Sequence, residues 1–197
     1  MRTLIYIPII HTEVDMGSVS EEVKKEYLSK YGKSKWLKHL DLISNLWETI
    51  RKRLLKMPVD YSKTRLYQDG LPVCGKEFEI VKELAGMGSK NHILLMELVD
   101  MGATLMGTED SGLLLQEHKM IKEIVGTRGK NQVKEKLEEY RKHSDDLLVR
   151  RDDFIAKRIS ETLQDGETGI LFIGALHKVD KRLPRGIKVV HLGAVKE

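Results

Sequence analysis

Apolar runs of strand length alternate along this chain with segments whose apolar residues recur every three or four positions. Residues 4–10 form an apolar run that predicts a buried strand, and His11 closes it. Ser18 and Glu21 have the spacing of a capping box that opens a helix. Trp36, Leu40, Ile43, Trp47, Ile50 and Leu54 then recur at spacings of four and three, an amphipathic helix that Pro58 stops. A short strand over 64–67 runs into the turn Gln68-Asp69-Gly70. Helices are expected over 76–84, broken by Gly86 and Gly88, and over 91–101, with Gly102 as its C-cap.

A third strand over 103–108 leads through Gly107-Thr108-Glu109-Asp110 into a helical run over 113–125. Residues 131–148 are charged, with an apolar stripe at Val133, Leu137 and Tyr140, and predict an exposed helix. Arg150-Arg151-Asp152-Asp153 opens or continues a helix that buries Phe154, Ile155, Ile159 and Leu163 and ends at Gly166. A strand over 170–175 follows, then His177, a basic connection, and a last strand over 187–192. Strands alternating with helices in this way predict an α/β fold: a mainly parallel sheet flanked by helices, with a ligand crevice at the strand C-terminal ends.

Composition narrows the class without changing the picture. The 197 residues suit a single domain spanning 1–197, and 41% hydrophobic with 32% charged residues is ordinary globular usage. A net charge of +4, from 34 basic and 30 acidic residues, is too dilute for a dedicated nucleic-acid binder. Lys178, Lys181, Arg182, Arg185 and Lys188 make a basic patch, but Asp180 interrupts it and no stacking aromatic lies nearby. The lone Cys74 leaves no partner for an intramolecular disulfide and no Cys-rich zinc module. The first apolar run is shorter than a signal h-region and no stretch is long enough to span a bilayer, so a cytoplasmic protein without membrane contact is expected. The exposed helix over 131–148 offers a surface for pairing with a second copy.

Candidate chemistry collects at predicted strand ends. His11 and His177 each follow an apolar run, so strands from opposite ends of the chain can deliver both imidazoles to one crevice. Each also has a plainer reading, as a histidine bonded to a neighbouring carbonyl. Glu109 and Asp110 either face that crevice or cap the next helix. Arg151 and Asp152 either join the site or form a solvated helix start, and Asp69 reads first as an ordinary turn residue. His39, His92, His118, His143 and His191 read as structural, and Met96, Met101 and Met106 as core. Gly86-x-Gly88 and Gly126-x-x-Gly129 lack the strand and helix context of a phosphate loop.

The order Ile10-His11, Asp69, Gly107-Thr108-Glu109-Asp110, Arg151-Asp152-Asp153-Phe154-Ile155-Ala156 and Gly174-x-x-His177 resembles the TraB, Tiki and ChaN-like superfamily over nearly the whole chain. That group carries two Gly-x-x-His motifs, acids after central strands and an Arg-Asp-x-x-Met-Ala helix start. Here Pro8 stands where its first motif has glycine, Asp69 where a strand-end glutamate is usual, and Ile155 where methionine is common.

The resemblance implies metal-assisted hydrolysis of a peptide or ester, since Tiki-like members are described as metal-dependent peptidases. Imidazoles and carboxylates suit Mn, Co or Zn, which act as Lewis acids and activate water. His11, Glu109 and His177 are then metal ligands or bases, Arg151 meets an anionic group of the substrate, and Asp152 orients Arg151 or a histidine. The erythromycin-esterase branch implies a metal-free variant using histidine and glutamate. A module that binds haem or another anionic ligand without turnover is the alternative, since ChaN-like members are described as binding haem.

Overall fold

The apolar runs become strands of one sheet. The computed structural model describes residues 1–10, 20–127 and 129–192. His11 and Ser18, the first residue of the expected capping box, lie outside the described residues. Strands β1 (Arg2–Ile9), β2 (Thr64–Gln68), β3 (Thr104–Met106), β4 (Thr168–Gly174) and β5 (Ile187–His191) pair in the order β3-β2-β4-β1-β5. Every pairing is parallel: Thr3 opposes Thr168 and Ile9 opposes Gly174 in β1 and β4, while Arg2 opposes Ile187 in β1 and β5. The expected α/β fold with a parallel sheet is what the chain adopts.

A parallel sheet covered on both faces needs apolar residues on both, and the strands supply them. Ile5, Ile7 and Ile9 of β1, Leu66 of β2, and Ile170 and Phe172 of β4 enter one core. Leu4 and Tyr6, Tyr67, and Leu171 and Ile173 enter the other. The first core is roofed by α1 (Ser20–Leu55), α2 (Glu77–Gly86) and α3 (Lys90–Asp100), through Ile43, Trp47, Ile50, Leu54, Val81, Leu94, Leu95 and Leu98. The second is roofed by α5 (Lys130–Thr162), through Ile155, Ala156 and Ile159, with Leu163 just beyond it. Helix α4 (Ser111–Gly126) packs along α5.

The Arg151 segment continues the charged stretch as one helix of 33 residues, the second of its two expected readings, because no glycine or proline interrupts it. Two expectations change. Helix α3 ends on Met101, and Gly102 follows it with a φ of 106°. Met101 is exposed rather than core, whereas Met96 and Met106 pack against the two cores. Within α1 the helical path breaks at Gly32, whose φ is 80°.

Connections that move toward β3 lie on the α1–α3 face and those that move back lie on the α5 face, as right-handed crossovers require. The chain therefore leaves β2 in one direction and its neighbour β4 in the other. Such a divergence is where open α/β sheets place their ligand sites, at the carboxyl ends of the two strands.

Candidate functional site

Asp69 sits at that divergence. Its N–H continues the ladder by donating to the Phe172 carbonyl at 2.9 Å, and its Oδ2 accepts from the Gly174 N–H at 2.8 Å, so one residue ties the ends of β2 and β4 together. The turn reading of Asp69 holds but is incomplete. Leu71 N–H donates to the Gln68 carbonyl, and the Asp69 side chain is buried against Gly174 N–H and Arg151 Nη2.

The end of β3 is laced to the same loop. Thr108 and Glu109 N–H groups both donate to the Leu71 carbonyl, at 2.9 and 3.0 Å, and Val73 N–H donates to the Glu109 carbonyl at 2.9 Å. Gly107 makes this approach feasible: a Cβ there would lie 2.8 Å from Val73 Cα and 2.6 Å from Glu77 Oε1. Adjacent acids then divide their work. Asp110 caps α4 by accepting from the Leu113 N–H at 2.9 Å, while Glu109 is fully buried and accepts from Gly70 N–H at 3.1 Å.

Helix α5 supplies the opposite wall. Arg151 donates from Nε to Glu109 Oε2 at 3.0 Å and from Nη2 to Glu109 Oε1 at 2.5 Å. Nη2 also reaches Asp69 Oδ1 at 2.8 Å, and Nη1 reaches Glu117 Oε2 of α4 at 2.5 Å. The expected role for Arg151 was to meet an incoming anion, yet these bonds all run to the protein's own carboxylates.

Asp152, one position on, turns to His177. Its Oδ1 lies 2.6 Å from His177 Nδ1 and its Oδ2 accepts from the Lys178 N–H at 2.9 Å. With a carboxylate at Nδ1, that nitrogen carries the proton, and Nε2 faces Asp69 Oδ2 at 3.6 Å, beyond hydrogen-bond length. The alternatives left open for Asp152 resolve in favour of a histidine. Tyr6 donates its hydroxyl to the His177 carbonyl at 3.2 Å and fixes the loop from the β1 side.

Burial and charge oppose one another throughout. Burial disfavours the charged form of His177, but the Asp152 hydrogen bond and the Asp69 charge outweigh it and raise the imidazole above its ordinary value. Burial raises the Glu109 carboxyl, against the pull of Arg151. Burial, with Asp180, Asp152 and Asp69 nearby, raises the Tyr6 hydroxyl and keeps it protonated.

Asp69, Glu109 and His177 each offer a ligand atom within 4.8 Å of the others, so this buried group can hold a metal ion. Its mix of carboxylate and imidazole suits a divalent transition metal. Asp69 completes the set among the described residues, and His11 lies outside them. Glu109, Arg151, Asp152 and His177 come together as the sequence pattern suggests, whereas Asp110 stays at its cap. Glu117 and Tyr6 join them without any motif; only the packing of α4 on α5 and of β1 beside β4 brings them in. The basic patch is partly paired internally, Arg182 with Asp153 at 2.8 Å and Lys181 with Asp180 at 3.5 Å. Among the described residues no helix is long and apolar enough to cross a membrane.

Comparison with known protein families, with curated proteins and with solved structures finds no match for this chain.

Proposed function

We propose that this protein is a hydrolase of peptide or ester bonds, with Asp69, Glu109, Arg151, Asp152 and His177 as its centre. The observation that carries this reading is the buried Asp152–His177 pair, whose other imidazole nitrogen faces a second carboxylate at the ends of diverging strands. Ion pairs made for stability alone are seldom buried in this number, because desolvation offsets most of their attraction. Perturbed acids and bases gathered at the carboxyl ends of parallel strands are instead the pattern of working sites.

In this reading Asp152 holds the Nδ1 proton, leaving Nε2 of His177 to take a proton from water as it attacks the carbonyl carbon and to return it to the leaving group. Asp69 and Glu109 would hold a divalent cation such as Mn, Co or Zn beside the imidazole, and that cation would supply Lewis acidity at the scissile carbonyl. The order of these residues supports kinship with the TraB, Tiki and ChaN-like group, and that kinship is part of the proposal.

A panel of peptides and aryl esters, assayed with added Mn, Co or Zn and again with chelator, tests the function. Turnover by the wild type that is lost in His177→Gln, with the melting transition retained, is the expected result. No hydrolysis of any substrate, or equal rates in the two proteins, would remove the proposal.

A further inference from the structure

The carboxylates that can hold a metal ion are already held by a cation of the protein's own. We infer that Arg151 is a resident counter-cation that competes with a divalent metal ion for Asp69 and Glu109, an inference that rests on the cluster being the hydrolytic centre.

Fully buried Glu109 gives both oxygens to the guanidinium, at 3.0 and 2.5 Å, and Asp69 gives it Oδ1 at 2.8 Å. These two residues are also two of the three whose ligand atoms lie within 4.8 Å of one another. A carboxylate oxygen has lone pairs for a hydrogen bond and a metal together, so donor count does not separate the two occupants. Charge does. A divalent ion among these oxygens would sit beside a guanidinium in a water-poor site, where like charges repel strongly. The reverse state is equally constrained, because Glu109 cannot remain buried and ionised without a cation beside it.

Glu117 explains how the exchange can occur without stranding the arginine. It is outside the ligand group, belongs to α4, and holds Arg151 Nη1 at 2.5 Å. Its side chain is 25% exposed against 0% for Glu109, and the Tyr140 hydroxyl donates to its other oxygen at 3.5 Å. When a metal ion takes Asp69 and Glu109, Arg151 keeps Glu117 as its partner. The Asp152 bond to His177 Nδ1 is independent of the exchange, so Nε2 keeps its role as the base in either state.

Equilibrium dialysis and calorimetric titration of Mn2+ against wild type, Arg151→Met, Arg151→Lys, Glu117→Gln and the double variant Arg151→Met/Asp69→Asn test this. Arg151→Met binds at least about tenfold tighter than wild type, Arg151→Lys falls between them, and the double variant loses the gain. Glu117→Gln binds more weakly than wild type, because the arginine loses its other partner. The melting temperature of Arg151→Met rises more on adding Mn2+ than that of wild type. If Arg151→Met fails to fold without metal, Arg151→Lys carries the comparison.

Equal affinity in wild type and the arginine variants, or a gain that survives Asp69→Asn, overturns the competition. Hydrolysis measured in parallel keeps the two readings apart. Turnover that depends on His177 with no change in Mn2+ affinity at Arg151→Lys leaves the hydrolase and removes the competition. A tighter Arg151 variant in a protein without turnover does the opposite.

Discussion

The 2.6 Å contact between Asp152 and His177 decides which imidazole nitrogen can act as a base. An asparagine at 152 keeps an acceptor for the Lys178 N–H but turns an amide N–H toward Nδ1, which favours the opposite tautomer. Asp152→Asn is therefore expected to lower kcat/KM by about 10²–10⁴ with little loss of folded protein, checked by kinetics beside circular dichroism. The raised affinity of His177 for its proton has two pH consequences. Activity that needs neutral Nε2 should rise with pH along a limb displaced above about 6.5, the ordinary histidine value. For stability the sign is opposite. A proton held more tightly when folded than when unfolded stabilises fully below about pH 6.5, and that contribution is lost as pH rises through the folded value. The melting-temperature difference between wild type and His177→Gln should shrink from pH 6 to pH 9; a difference that grows would contradict the assignment.

Glycine positions separate the elements that can adapt from those that cannot. Gly107→Ala must push Cβ against the Val73 backbone at 2.8 Å and is expected to cost about 1–3 kcal/mol, read from urea unfolding. Gly86→Ala, in the last turn of α2 with nothing within 4 Å of its Cβ, should be neutral or stabilising by about 0.5–1 kcal/mol. Periodicity made most elements readable: the period of 2 or 3.6 is local, and Pro58, Gly86 and Gly166 mark boundaries by backbone chemistry alone. What periodicity lacks is the partner of each face. Glu109 and Asp110 are adjacent acids with equal claims to a cap, and only the bonds from Thr108 and Glu109 to Leu71 settle which one turns inward. Asp69 looks like a turn residue because it is one, and its second role depends on Gly174, at the end of a strand remote in sequence. Glu117 had no signal, since nothing in α4 alone says that Arg151 lies opposite.

One sheet divides the molecule into two cores whose buried residues do not mix. Leu98→Ala, under α3, should cost about 2–5 kcal/mol and Ile159→Val, under α5, about 0.5–1.5 kcal/mol. Because they occupy separate cores, the double variant should equal their sum to within about 0.5 kcal/mol in denaturant titration. A larger discrepancy would mean that the sheet transmits packing changes from face to face. The same sheet has a consequence for assembly in time. Strand β1 is made first, yet both of its neighbours, β4 and β5, are made last, with Thr3 paired to Thr168 and Arg2 to Ile187. A chain emerging residue by residue must hold an apolar, unpaired β1 until the whole segment that separates it from β4 has been synthesised. The closure of so long a loop puts this protein among slow folders of high contact order, with its strand-end centre the last thing to exist.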